Sequence, residues 1–286
     1  AAQYYLGLRY LDGRGVPKDA TQAWEWFHKS AEAGLPHSQY NLGILLAGGT
    51  GTAKDEVQAA QWIQKAAEQG LLQAQVELAR MYAEGRGVAE DPDKMFVWAH
   101  KAAQQGHAGS QFYVGFCYAN GYRVPQDDER AISWLRQAAE QGDADAQSDL
   151  GAFLLAGRGC ERDPAQGASF IRQAAEQGIE NAQLNLAGMH VRGDGVEQSL
   201  GEAFRWWAAA AQQGSKVAVE KLTEILPRLD TIQVGPAGAV LRAEPHADAE
   251  PLARITRGST LYRLERFDGW DLAYLPEWHT VGFLAC

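Results

Sequence analysis

The residues that could do chemistry in this chain are few, and their spacing points away from catalysis. The seven histidines include no pair spaced to place two metal ligands on one helix face. No Gly-x-Ser-x-Gly sequence, which would place a nucleophilic serine at a sharp turn, occurs. Paired carboxylates such as Asp127 and Asp128 come at a predicted helix start, where they cap the helix and complement its dipole. We therefore expect no enzyme, no metal centre and no cofactor.

One glycine-rich run could be mistaken for a phosphate-binding loop. Gly48 to Lys54 read Gly-Gly-Thr-Gly-Thr-Ala-Lys, but the Gly-Lys-Ser/Thr order that brings a lysine to the phosphates is missing. The run also falls on the turn of a repeating unit, as the pair Gly13 and Gly15 does. We interpret both as structural.

Composition excludes further function classes. Lys and Arg total 26 and Asp and Glu total 36, so the net charge of -10 argues against a nucleic-acid-binding protein. No apolar run approaches the length of a membrane span. Three cysteines cannot build a disulfide framework in 286 residues. Cys117 and Cys160 fall at repeated apolar positions, which predicts small core residues.

The elements that hold these residues recur every 36 residues, and six copies cover residues 1–216. We number each copy from residues 1, 37, 73, 109, 145 and 181. Three of the recurring columns are Gln3, Gln39, Gln75, Gln111, Gln147 and Gln183; Trp26, Trp62, Trp98, Trp134, Phe170 and Trp206; and Gly34, Gly70, Gly106, Gly142, Gly178 and Gly214. Each copy predicts a helix, a glycine turn, a second helix and a closing glycine.

Two columns predict how a repeat is built. Asp19, Asp55, Asp91, Asp127 and Asp163, with Ser199 in the sixth copy, precede the second helix and should cap it. Small residues at repeat position 7, Gly or Ala in every copy, should let helices approach closely. Because one unit cannot bury its apolar face alone, the units should stack into an α-solenoid.

The columns resemble the Sel-one-like (Sel1-like) repeat, a relative of the tetratricopeptide repeat. Residues 78–106 carry the pattern almost whole, in Leu78, Tyr82, Gly85, Gly87, Val88, Asp91, Trp98, Ala102, Ala103 and Gly106. The resemblance implies a right-handed superhelix used as a protein-binding scaffold. Local departures are Leu46, Arg123 and Phe170, which affect single turns rather than the fold.

The chain changes character after the repeats. Lys216 to Leu229 predict one more amphipathic helix, so residues 217–230 are interpreted as a capping helix and linker. Turn signals then separate five predicted strands. These are Ala239–Arg242, Leu252–Ile255, Thr260–Arg266, Asp271–Leu275 and Thr280–Leu284. We expect residues 231–286 to form a small all-β barrel.

This tail resembles the bacterial Src-homology-three-like (SH3-like) domain. The matching segments are Val240–Pro245, Arg257-Gly258, Asp268-Gly269-Trp270 and Val281-Gly282-Phe283. The resemblance implies an envelope protein whose barrel binds peptidoglycan, a peptide or a partner protein. The alternative is a barrel that packs on the end of the solenoid and has no ligand.

A partner surface is predicted where the repeats vary. Repeat positions 5, 8 and 12 share one face of the first helix, which we call the 5/8/12 face, and we expect it to lie opposite the packed columns and to line a concave groove. The candidate partner-binding residues are Tyr5, Asn41, Glu77, Arg80, Tyr113, Phe116, Asn120, Asp149 and Asn185. Tyr113 and Phe116 are the predicted hot spot, flanked by Glu77, Arg80 and Asn120. Inter-repeat packing or a bare solvated face is the alternative.

Three histidines receive structural interpretations. His28 and His100 share one repeat position and are predicted to lie on a solvated helix face. His190 replaces tyrosine in a packed column and is predicted to be a buried structural residue.

These observations favour a non-enzymatic adaptor that binds one protein in its groove. By resemblance, the adaptor acts at the cell envelope, so a periplasmic location is expected and a cytoplasmic one is the alternative. A narrower hypothesis is an immunity protein that sequesters a secreted antibacterial effector, such as a type VI phospholipase; the acidic charge would then speed capture of a basic toxin. Another is a peptidoglycan-binding module that recruits a wall enzyme.

Overall fold

The structure is a computed structural model that describes residues 2–234, 239–245, 248–256, 258–267 and 270–285. The chain divides into two compact units, Ala1–Gln141 and Gly142–Cys286. Three residues of the SH3-like resemblance, Arg257, Asp268 and Gly269, lie outside the described part, as does the third cysteine, Cys286. The predicted domain boundaries at 216 and 230 stay predictions.

The first unit consists of four helix pairs. Its helices are α1 (Ala2–Asp12), α2 (Ala20–Glu32), α3 (Pro36–Gly48), α4 (Glu56–Glu68), α5 (Leu72–Glu84), α6 (Pro92–Gln104), α7 (Ala108–Asn120) and α8 (Asp128–Glu140). The predicted aspartate caps are confirmed; the Asp55 carboxylate, for example, accepts the Gln58 amide at 2.9 Å. The cap satisfies an N–H group that the first turn of α4 leaves without a helical partner.

The second unit continues the pattern and adds strands. Its helices are α9 (Ala144–Ala156), α10 (Pro164–Glu176), α11 (Glu180–Arg192), α12 (Leu200–Gln212) and α13 (Lys216–Ile225), and a short 3₁₀ turn, Leu226–Arg228, follows. Its strands are β1 (Thr231–Gln233), β2 (Ala239–Arg242), β3 (Pro251–Ile255), β4 (Thr260–Phe267), β5 (Trp270–Leu275) and β6 (Thr280–Ala285). All five predicted strands are present, while β1 was not predicted.

Small residues at position 7 bring the two helices of a repeat together, as expected. A Cβ added to Gly43 would lie 2.5 Å from Cγ1 of Ile63, and one added to Gly151 would lie 2.5 Å from Cγ1 of Ile171. Real carbon atoms do not approach so closely, so these sites have no room for alanine as they stand. The glycine column therefore sets the distance between paired helices.

The glutamine column joins successive repeats, a role that the sequence did not reveal. Gln111 is buried, and its side-chain amide donates to the carbonyl oxygen of Ala103 in the preceding repeat at 3.2 Å. Its side-chain oxygen accepts a hydrogen bond from Gln141 at 2.7 Å. The same two bonds form at Gln39, Gln75 and Gln183. At these four positions the glutamine ladder satisfies a buried amide and ties the repeat to the one before it.

The tail is an open antiparallel sheet, so the expected closed barrel is wrong. The six described strands have the order β1-β4-β5-β6-β2-β3. Closure would require the edge strands β1 and β3 to pair, but β1 pairs with β4 and β3 with β2. In the described part of the sheet, β2 pairs with β6 through Arg242 and Phe283.

One face of this sheet packs against the last repeat. Tyr274 of β5 lies edge-on to Phe204 of α12, with ring centroids 5.5 Å apart. Burial raises the pKa of Tyr274 to about 12, and its hydroxyl hydrogen-bonds to Nδ1 of His279 at 2.7 Å. The Gln212 side chain also donates to the carbonyl oxygen of His279. The sheet therefore covers the apolar surface that α12 would otherwise expose.

Candidate functional site

The 5/8/12 face carries large apolar side chains that remain exposed. Tyr5 is 63% exposed, Phe116 42% and Ile44 38%. Arg80, Asn120 and Asn185 on the same face are exposed as well. Exposed aromatic and aliphatic groups beside charged and amide groups are typical of a protein-binding surface.

Position 5 is more buried than its predicted place on this face implies. Asn41, Tyr113 and Asp149 are half-buried, and Glu77 is buried. Position 5 adjoins the packed position 6, and successive residues of a helix are offset by about 100°. Position 5 therefore lies at the flank of the packed stripe, and the expectation that it faces away from that stripe is wrong at these four residues.

Glu77 is the centre of an ion-pair cluster. Its carboxylate oxygens accept hydrogen bonds from Arg80 at 2.6 Å and from Arg86 at 2.9 Å. Burial raises the pKa of the nearby Tyr40, and the charge of Glu77 raises it further. Glu77 therefore holds Arg80 in position rather than offering its own carboxylate to a partner. Arg86 and Tyr40 were missed, because they lie outside the varied positions.

The predicted hot-spot pair divides into one packed residue and one exposed residue. Tyr113 packs against the apolar cluster of the preceding repeat, which contains Leu78 and Tyr82. Burial raises the pKa of the Tyr113 hydroxyl well above its usual range, and Cys117 adds to the shift. Phe116, one turn further along α7, is exposed. Phe116 is therefore the member of the pair that a partner can reach.

The surface next to Phe116 includes two residues that were not predicted as partner contacts. Tyr122 is exposed, and the Arg123 guanidinium lies 4.8 Å from its ring centroid. Arg123 had been identified only as a departure from the glycine at position 15. Asn120 donates its side-chain amide to the carbonyl oxygen of Phe116 at 2.9 Å. Phe116, Asn120 and Tyr122 thus end α7 with an aromatic and polar surface.

Asp149 carries a testable charge effect. Burial raises the pKa of its carboxyl, and Asp145 one turn earlier raises it further. The folded state then holds this proton more tightly than the unfolded state, so ionisation lowers stability as pH rises from the ordinary Asp value through the raised one. Asp149→Asn should therefore have a higher Tm than the unmodified protein at neutral pH. The difference should shrink below about pH 3.9, where both states are protonated. Thermal melts across pH test this, and an unchanged difference would contradict it.

The histidines and cysteines lie in packed surroundings. His28 lies between Trp24 and Trp62, and His100 between Phe96 and Trp134, so both rings are half-buried rather than fully solvated as predicted. Both rings fit between aromatic side chains of successive repeats, and burial lowers the pKa of His100. His190 is buried and hydrogen-bonds to the Glu197 carbonyl at 2.9 Å, as predicted.

Cys117 is buried, which confirms its predicted core position, whereas Cys160 is half-buried. The described residues contain no group of three or more His, Cys, Asp or Glu side chains placed to hold a metal ion. Within the same ranges, no helix has the length and hydropathy needed to cross a bilayer.

Two cavities lie on the 5/8/12 face, one in each compact unit. In the first unit, Tyr5, Leu8 and Asp12 line a cavity of about 670 Å³. In the second, Gly188 and Arg192 of α11 line a cavity of about 320 Å³. The numbering of the repeats continues into α13 and the turn after it, so Lys221, Glu224 and Arg228 in the second cavity correspond to positions 5, 8 and 12. The varied positions thus line a cavity in each unit.

Comparison with known families identifies the repeats. Six segments, residues 1–35, 36–71, 72–107, 108–143, 144–179 and 181–215, match the Sel1 repeat. The chain belongs to the Sel1 repeat family. Solenoids of Sel1 repeats are in general non-enzymatic scaffolds that bind proteins, and no catalytic family is found among the matches.

Solved structures share this Sel1 architecture. A protective antigen of uropathogenic Escherichia coli, c5321, is 34% identical with a TM-score of 0.71 and covers 79% of this chain. A Sel1 repeat protein of Oxalobacter formigenes is 35% identical with a TM-score of 0.59 and covers 78%. This chain spans only 49% of the first structure and 64% of the second.

An immunity protein of Pseudomonas aeruginosa, Pa5087, is 22% identical with a TM-score of 0.37; the match covers 67% of this chain and 70% of that one. A search of curated proteins gave no match.

Proposed function

We propose that this Sel1-repeat protein is a non-enzymatic scaffold that binds a protein partner through its 5/8/12 face. The observation that carries the proposal is the exposure of Phe116 and Ile44 on helices that bury other apolar side chains, such as Leu42 and Val114. Exposed apolar groups of this kind lose contact with water when a partner covers them, which favours association.

Neighbouring charges add specificity to this surface. Arg80 is held by the buried Glu77 and remains exposed, so its guanidinium is fixed before a partner arrives. A fixed charge loses little conformational entropy on binding, which favours a specific partner over a general one. We propose that Arg80, Phe116 and Ile44 form the contact region of the first unit.

The test is an affinity pull-down from envelope and soluble fractions of the source cells. The test bait carries Ile44→Ser and Phe116→Ser. A matched control carries Val57→Ser and Val97→Ser on the second helices of their repeats. These valine side chains are 58% and 50% exposed, so the control loses about as much exposed apolar surface as the test bait. A true hot-spot residue contributes about 2 kcal/mol or more, so recovery with the test bait should fall more than tenfold.

The outcome for the two baits decides the proposal. One dominant protein that is retained by the control and lost by the test bait would support it. Equal recovery with both baits would contradict it, provided that both variants melt cooperatively like the unmodified protein. We place the protein at the envelope on the resemblance of its tail, and the fraction that yields the partner tests that location.

The alternative functions correspond to other results of the same experiment. Capture of a secreted toxin would favour the immunity hypothesis. Recovery of wall fragments by every bait would favour peptidoglycan binding by the SH3-like tail, which purified cell wall would then test directly.

A further inference from the structure

The cavity between α11 and α13 in the second unit is basic although the chain as a whole is acidic. Arg192, Lys221 and Arg228 line it, and Glu224 is its one acidic residue, in a chain of net charge -10. Lys221 pairs with Glu224 at 3.1 Å. Arg192 and Arg228 have no ion-pair partner among the described residues, and both are exposed. We call this cavity the basic pocket.

The basic pocket also has apolar lining residues, and a glycine at repeat position 8 leaves its space unfilled. Trp207, which is buried, and Ile225, which is half-buried, also line it and form what we call its apolar floor. A Cβ added to Gly188 would lie 3.2 Å from Nη1 of Arg192, so the guanidinium lies directly over this glycine. Other repeats carry Ile44, Arg80 or Phe116 at the same position, and such a side chain would fill the space. The volume of about 320 Å³ can take one or two side chains of a peptide.

Two guanidinium groups above an apolar floor suit a carboxylate carried beside an apolar side chain. Arginine binds carboxylates with paired, charge-assisted hydrogen bonds, and the partly enclosed cavity screens them less than open water does. The apolar neighbour of the carboxylate would cover Trp207 and Ile225. A basic ligand would instead meet a surplus of positive charge.

We propose that the basic pocket binds an acidic segment of a protein partner, with Arg192 and Arg228 holding its Asp or Glu carboxylates. The inference rests on the proposed scaffold function and specifies the partner's chemistry at this site. It predicts a partner segment in which acidic and apolar residues alternate.

The test uses the full chain and short rhodamine-labelled peptides with amidated ends. The probe is Leu-Glu-Leu-Asp-Leu-Glu, and its neutral match is Leu-Gln-Leu-Asn-Leu-Gln. Fluorescence anisotropy should show binding of the acidic peptide, about tenfold or more weaker binding of the neutral one, and weakening by salt. Arg192→Gln/Arg228→Gln should also weaken binding of the acidic peptide about tenfold.

A second pair of variants separates the pocket from general charge. Lys216→Gln/Arg254→Gln removes the same charge from exposed sites outside the pocket and should leave the affinity unchanged. Arg192→Glu/Arg228→Glu should lose the acidic peptide and gain a Leu-Lys-Leu-Lys-Leu-Lys peptide. All variants should keep the Tm of the unmodified protein, because the changed side chains are exposed.

Several results would overturn the proposal. They are equal binding of the acidic and neutral peptides, equal weakening by the control variant, and no gain of the basic peptide on charge reversal. Displacement by inorganic phosphate but not by acetate at equal ionic strength would point to a phosphate ligand and also overturn it. Because this assay needs no native partner and leaves Ile44 and Phe116 intact, its failure is distinct from failure of the scaffold function.

Discussion

Gly87→Ala should destabilise the protein far more than the same change at Gly15, although both glycines occupy repeat position 15. Both have a left-handed backbone, with φ of +68° and +76°. An added Cβ at Gly87 would lie 1.9 Å from the carbonyl oxygen of Glu56 in the preceding repeat. At Gly15 nothing lies within 4 Å of that position. The two substitutions therefore share a conformational cost and differ in one clash.

The expected losses in unfolding free energy follow from the conformational cost and the clash. A non-glycine residue in the left-handed region costs about 1–2 kcal/mol, so the unfolding free energy of both variants falls by that amount. The clash at Gly87 is with backbone, which cannot rotate away, so successive repeats must separate and lose packing. We expect Gly87→Ala to lose about 3 kcal/mol or more in total.

Urea unfolding monitored by circular dichroism measures the difference as a shift in the midpoint at constant slope. Gly15→Ala is the control for conformational strain. Equal midpoints for the two variants would show that the contact between Gly87 and Glu56 contributes nothing to stability.

Much of the fold could be predicted because its rules are local. A period of 36 residues, an aspartate or serine before each second helix and a small residue at position 7 correctly predicted the helix pairs, the caps and the close packing. Arg123 shows how strong these local rules are. It keeps φ at +66° where the other repeats have glycine, so the turn persists without its preferred residue.

The rest depends on contacts that a linear pattern does not contain. Strand β1 has three residues and forms by pairing with β4, so no turn or alternation marks it. Whether the sheet is open or closed depends on whether its edge strands, β1 and β3, pair with each other, and no sequence pattern shows this. Burial of Glu77 depends on Arg86, nine residues further along the chain. The basic pocket combines positions 8 and 12 of the last repeat with residues after it, and only continued numbering through α13 would have revealed it.

The glutamine ladder gives the second large effect, because it satisfies buried polar groups between repeats. Gln111→Leu keeps the side-chain volume roughly constant but removes the amide that bonds to Ala103. It also removes the oxygen that accepts from Gln141. The Gln111 amide also donates to the Gln137 side-chain oxygen at 3.3 Å, so two to three hydrogen bonds are lost, each contributing about 1 kcal/mol. The Gln141 amide keeps its bond to the Gln137 carbonyl oxygen, and the Ala103 carbonyl keeps its bond to the Gly106 amide, so neither partner adds the cost of an unsatisfied group. We expect a total loss of about 2–3 kcal/mol.

Gln3 supplies the matched control for Gln111. It occupies the same repeat position but is exposed and makes no side-chain hydrogen bond among the described residues. Position 33 of its repeat, glutamine in the other five, is Ala33. Gln3→Leu should therefore change the urea midpoint by little. A loss as large as that of Gln111→Leu would attribute the effect to leucine itself rather than to the ladder.

A double-mutant cycle then separates the ladder from its members. Gln141→Leu alone should lose the bond to Gln111, and the double variant should be less destabilised than the sum of the single ones. Each single variant leaves one glutamine without the bond between Gln111 and Gln141, although Gln141 keeps its bond to the Gln137 carbonyl oxygen, whereas the double variant removes both groups together. Strict additivity would mean that the bond between Gln111 and Gln141 contributes nothing to holding adjacent helices together, and that the recurrence of these residues has another cause.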